Sequence, residues 1–123
     1  MNKNYRRGMV KELEIKNYFE RLGYISARSA GSHSLLDVFC IPRDKKKPIL
    51  GIQVKRSKLG IKDISKHFEE VDALKTDAFP ENVVIELWLY IDFEGYKVYR
   101  LKNNEFNLVQ SFKNINEYTI PVM

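Results

Sequence analysis

The chain has 123 residues, 44% of them hydrophobic, with a formal net charge of +5. That length suits one domain with one core over residues 1–123, and the composition excludes a disordered chain. No apolar run approaches the roughly 20 residues of a membrane span, and the charged opening MNKNYRRG leads into no apolar signal segment, so no membrane partner and an intracellular setting are expected.

Residues 7–22 read as a helix, with Met9, Leu13, Tyr18, Phe19 and Leu22 as its apolar stripe and Gly23 as its stop. YISARS (24–29) reads as a short strand and AGSHS as a loop. LLDVFCI and ILGIQVKR read as two strands joined by the polar turn PRDKKKP. The single Cys40 can form no internal disulfide and reads as a small buried hydrophobe. A second helix is expected over 63–76, capped by Asp63, with Ile64, Phe68, Val71 and Leu74 buried. VVIELWLYI (83–91) is the most hydrophobic stretch and reads as a central strand, with Trp88 in the core or a dimer interface. A turn near Glu94-Gly95 precedes YKVYRL, and Asn103-Asn104 is a turn before FNLVQSF. The order gives an α+β fold, a mixed central sheet flanked by helices.

Within GIQVKRSK, alternation puts Ile52 and Val54 on one face and Gln53 and Lys55 on the other. A polar pair on a strand usually means only a solvated face. Asp37, however, lies among apolar residues of the preceding strand, where an ionised carboxylate needs a partner or a metal. If Asp37 opposes Gln53 or Lys55 across the hairpin, all three share a face; opposed to Val54, they do not. A Mg²⁺ ion wants one or two carboxylates plus neutral oxygens. Glu12 and Glu14 on the first helix are the candidates for the second carboxylate, and the Gln53 amide oxygen is a neutral donor. Lys55 is a cation suited to a hydroxide or a developing phosphate charge. This set fits metal-assisted phosphodiester hydrolysis. The sequence pI of about 9.3 and the clusters Arg6-Arg7, Lys45–Lys47, Lys55-Arg56-Lys58 and Lys62 add a nucleic-acid footprint. His33 and His67 read as phosphate-facing or surface residues, and Tyr5, Tyr90, Tyr96 and Tyr99 as packing aromatics before base-stacking ones.

The ordered set Arg7-Gly8-x-x-x-Glu12, Arg28-x-x-Gly31-Ser32, Asp37 and Gln53-x-Lys55 resembles the archaeal-type Holliday junction resolvases of the PD-(D/E)xK nuclease superfamily. The resemblance covers residues 6–57; the C-terminal third carries no motif. It implies a restriction-endonuclease-like core and a homodimer that binds branched DNA at a four-way junction and nicks two opposed strands. It implies Mg²⁺ or Mn²⁺ held by Glu12, Asp37 and Gln53, and an attacking water positioned or stabilised by Lys55. DNA contacts fall to Arg6, Arg7, Arg28, Ser32, Arg56 and Lys58, and the setting is cytoplasmic or nucleoid-associated. Two positions depart from the pattern: Gln53 stands where the usual residue is Glu, and Leu13 where Arg is common. The competing expectations are another nuclease of the superfamily, of repair or restriction type, and a catalytically weakened junction-binding protein.

Overall fold

The computed structural model describes residues 3–29, 35–58, 72–76 and 78–122, without the side chains of 3–7 and 75–76. Helix α1 spans Lys3–Arg21, starting four residues before the expected residue 7, because an apolar stripe reports packing and not hydrogen bonding. It ends where expected. Gly23 has φ 92°, and the Gly23 and Tyr24 N–H groups return to the Glu20 and Phe19 carbonyls at 3.0 Å each. This is the paired closure that a left-handed residue allows.

Among the described side chains of α1 the buried ones are Ile15, Tyr18 and Phe19, whereas Leu13 is 38% exposed and Leu22 is exposed too. The stripe expected through Leu13 and Leu22 is therefore corrected. The inward face runs through Glu12, Ile15 and Phe19, spaced by three and four residues. Among the described side chains that face begins with the polar Glu12, so hydrophobicity alone misplaced its phase. Glu14 is anchored by the Tyr96 hydroxyl at 2.9 Å and by Lys11 at 3.3 Å. The Lys11 ammonium also lies 3.6 Å from the centre of the Tyr90 ring. These contacts clamp the helix to the sheet.

Among the described residues six strands follow: β1 Ile25–Arg28, β2 Val38–Ile41, β3 Ile49–Ser57, β4 Val83–Ile91, β5 Gly95–Lys102 and β6 Glu105–Phe112. They lie side by side in chain order. Every pairing is antiparallel except β3 with β4, which is parallel. The fold is thus α+β with a mixed sheet. A parallel pair needs a crossover, and residues 58–82 supply it. Residues 59–71 lie outside the described residues, and with them Lys62 and, of the helix expected over 63–76, Asp63, Ile64, His67, Phe68 and Val71. The end of that expected helix, Asp72–Thr76, is a 3-10 turn, with Leu74 buried.

The sheet is covered on both faces. Leu50, Ile52, Val54 and Trp88 pack with Ile15 and Phe19 of α1. On the other face Ile85, Leu87, Leu89 and Ile91 pack with Leu74. Burial on two sides explains why β4 reads as a continuous apolar run. Trp88 is core and fully buried, as is Cys40, whose thiol burial pushes up to about 12. Asn103 and Asn104, with φ 54° and 64°, form the two-residue turn between β5 and β6, in the left-handed pair that twisted hairpins favour. Gly95 has φ +108°, and a Cβ there would sit 2.5 Å from the Phe112 carbonyl oxygen, so only glycine fits.

Among the described residues one charge lies wholly inside. Glu86 on β4 has 0% exposure. Its Oε1 accepts from Trp88 Nε1 at 2.9 Å and the Tyr118 hydroxyl at 2.8 Å. Its Oε2 accepts from Arg100 Nε at 2.8 Å and Nη2 at 2.6 Å. Burial alone would lower the Arg100 pKa, but Glu86 beside it raises it on balance. Tyr118, held well above the ordinary phenol value by burial and then by Glu86, is the donor that fastens the C-terminal segment over the α1 side of the sheet. The carboxylate is satisfied four times over, the condition for tolerating a buried charge.

Candidate active site

Strand β3 outruns its neighbour. The paired register of β2 and β3 ends at Val38↔Ile52, so on that side Gln53–Ser57 have no ladder partner in β2. Asp37 stands in this notch, immediately before β2 and not inside a strand as expected from LLDVFCI. Its N–H donates to the Ile52 carbonyl at 2.8 Å, and its own carbonyl accepts from Ser29 N–H at 2.9 Å. Val38 and Asp37 both address Ile52, a one-residue slip of the kind that re-aims a side chain. The Asp37 Oδ2 then accepts from Val54 N–H at 2.8 Å. A side-chain oxygen thus takes the place of a strand carbonyl. This slip replaces the simple registers open to the sequence.

Glu12 reaches the notch from the helix face of the sheet, while Lys55 alternates to the opposite face. They act on one another because no strand separates them beyond Val38. Burial is the main cause of the raised Glu12 pKa; the Asp37 carboxylate adds to it, and Arg28 and Lys55 pull it back. Burial likewise raises Asp37, against the Val54 N–H, Lys55 and Arg28. Glu12, Arg28, Asp37 and Lys55 therefore share one electrostatic neighbourhood. Of the two candidate acids, the structure brings Glu12 to Asp37 and commits Glu14 to Tyr96 and Lys11.

Gln53 lies between Ile52 and Val54, the two residues whose backbone Asp37 grips. It is 8% exposed, and among the described residues its Oε1 accepts no hydrogen bond. A buried amide oxygen without a donor loses free energy of about 1–3 kcal/mol, and a cation would relieve it. Among the described residues no three His, Cys, Asp or Glu side chains gather as a metal cluster; the donors here are two carboxylates and an amide. All are hard oxygens, the kind that Mg²⁺ takes, with water or phosphate completing its shell.

The pairing of Arg28 was not legible in the sequence, which offered it only as a phosphate contact. Arg28 Nε and Nη2 donate to Glu12 Oε1 at 3.3 and 3.2 Å. The signal was weak: an arginine at the end of one strand and a glutamate on a helix, with only the fold to bring them together. Of the other expected DNA contacts, Arg56 pairs with Asp92 at 2.9 Å and lies 5.3 Å from the Tyr90 ring centre. Lys58 is exposed, as are Arg43, Lys45 and Lys46 of the β2–β3 turn. Arg6 and Arg7 lie in α1, but their side chains, like that of Tyr5, fall outside the described residues, as do Gly31, Ser32 and His33. No helix among the described residues is long and apolar enough to cross a membrane.

The chain matches no protein-family model and no curated protein.

Proposed function

We propose that the protein is a structure-selective DNA endonuclease that resolves four-way junctions by paired, metal-dependent hydrolysis of phosphodiesters. The observation that carries this reading is the Asp37 carboxylate fastened to the β3 backbone at Val54, with Glu12 and Lys55 in its field. Two acids, a buried amide oxygen and a lysine at an open strand end make a site for a divalent cation beside a phosphate. The mixed sheet, helix-covered on one face, suits the restriction-endonuclease-like core that this reading calls for, and the net charge of +5 favours a polyanion.

Glu12, Asp37 and Gln53 would hold Mg²⁺ or Mn²⁺. When bound, such an ion lowers the pKa of a water and offsets the charge of the phosphoryl transition state. The chain's own residues supply the rest. Asp37 is preset by Val54 N–H and needs no reordering. Lys55 presents a positive charge where the pentacovalent phosphate becomes more anionic. Arg56 on β3, on exchanging Asp92 for a phosphate, and Lys58 just beyond the strand would be phosphate contacts, and a homodimer would set two such sites for the paired nicks.

A second reading, a junction-binding protein with weakened catalysis, is favoured by Gln53, which leaves the site one negative ligand short. The test is a labelled four-way junction and a linear duplex of the same arms, each with Mg²⁺ or with EDTA. Wild type, Asp37→Asn and Gln53→Glu run in parallel. Paired, metal-dependent nicks confined to the junction are expected. Junction binding without cutting in wild type, with cutting in Gln53→Glu, would establish the second reading; no binding to either DNA would defeat both.

A further inference from the structure

The Glu12 oxygen wanted by a metal is already taken. Arg28 donates two N–H groups to it, and the side chains are only 24% and 18% exposed, so the pair is shielded from water. Glu12, Asp37, Arg28 and Lys55 carry formal charges that sum to zero. A divalent cation approaching them meets no net attraction, and Arg28 competes with it for the Glu12 carboxylate. The backbone at the end of β1 is fixed, since Ser29 N–H is held by the Asp37 carbonyl. The arginine side chain beyond it is long and can turn to another oxyanion. Its planar fork matches a phosphate as well as a carboxylate.

We propose, resting on the nuclease reading above, that Arg28 is a built-in competitor of the metal: it occupies Glu12 until a DNA phosphate draws it away. Metal and DNA then bind cooperatively. A phosphate that takes Arg28 leaves Glu12 open and the remaining three groups with a net negative charge. A metal that takes Glu12 leaves Arg28 open for phosphate. The coupling is reciprocal, each ligand tightening the other by the same factor. The consequence is a site that stays unloaded away from DNA and assembles on it.

Calorimetric titration with Ca²⁺ tests this on the whole chain, with wild type, Arg28→Ala and Arg28→Gln. Without DNA, both variants are expected to bind Ca²⁺ more tightly than wild type, by about 5- to 10-fold, the lower end of common coupling factors. The tightening that a four-way junction gives to Ca²⁺ binding should be smaller in the variants than in wild type. Folded variants with Ca²⁺ affinity equal to or weaker than wild type would overturn the proposal.

A second measurement does not depend on those variants folding. In EDTA, junction binding by fluorescence anisotropy should tighten more in Glu12→Gln than in Asp37→Asn. Both remove one negative charge, but only the first removes it from the carboxylate that Arg28 hydrogen-bonds, and so loosens Arg28. Equal tightening would also overturn the proposal. Binding of neither Ca²⁺ nor junction by any of these proteins would instead defeat the nuclease reading itself, and this inference with it.

Discussion

Asp37 and Val54 are joined by a carboxylate-to-backbone hydrogen bond of 2.8 Å at the point where β2 has stopped and β3 continues. The bond fixes an acid beside Gln53 and within the field of Lys55, and the proposed chemistry depends on it. Asp37→Asn keeps an acceptor for Val54 N–H but removes the charge. Cleavage of a four-way junction should fall by roughly 100- to 1000-fold, the scale of losing one charge-stabilising contact, while binding in a gel-shift assay persists. Undiminished cleavage would remove Asp37 from the mechanism.

The same substitution should stabilise the fold. Burial raises the Asp37 pKa in the folded chain. A group so raised favours the fold fully below its unfolded pKa, and that contribution is lost as pH rises through the folded value. At neutral pH the ionised carboxylate therefore costs stability. Asp37→Asn should melt a few degrees higher than wild type at pH 7, with the gap closing below about pH 4, where the unfolded acid is protonated too. A gap that persists in acid would assign the effect to packing.

Protons and metal compete for the notch. Glu12 and Asp37 are both raised, first by burial, so protons hold them to higher pH than ordinary carboxylates. Mn²⁺ affinity should decline on acidification from above the usual carboxylate range, and junction cleavage should decline with it. Calorimetry across pH reads the midpoint directly; one at the value of an exposed aspartate would contradict the burial argument.

Gln53→Glu adds a third carboxylate to the proposed site, at a position only 8% exposed. Without metal the variant should be less stable than wild type, since like charges now crowd a poorly hydrated site. With Mn²⁺ it should gain more in melting temperature than wild type does, because tighter binding to the folded state adds more stability. Equal gains in the two proteins would mean that residue 53 is not a ligand.

Glu86 and Arg100 are the structural counterpart of the site's charges. Arg100→Ala leaves a wholly buried carboxylate with only Trp88 and Tyr118 as donors, and should cost about 3–5 kcal/mol in urea unfolding. Adding Glu86→Gln should recover part of that loss, since no charge then remains unpaired. A loss of under about 1 kcal/mol would show that the two neutral donors suffice.

By its own pattern the sequence determined the local elements. Apolar runs bounded by polar turns marked the six strands, Asn103-Asn104 marked a tight hairpin, and Gly23 marked the end of α1, because these depend on residues adjacent in the chain. It also singled out Asp37, Gln53 and Lys55, since a charged or amide side chain among strand hydrophobes is conspicuous wherever the chain goes. The tertiary structure alone decided the rest. Only packing shows that α1 turns Glu12 inward and Leu13 out, because the inward face there is polar and the hydrophobic pattern carries no phase. Whether Arg28 meets Glu12, and Arg100 meets Glu86, depends on register and on how the helix lies over β1–β3. Those are set by the summed burial of two cores, a quantity no short stretch of the chain contains.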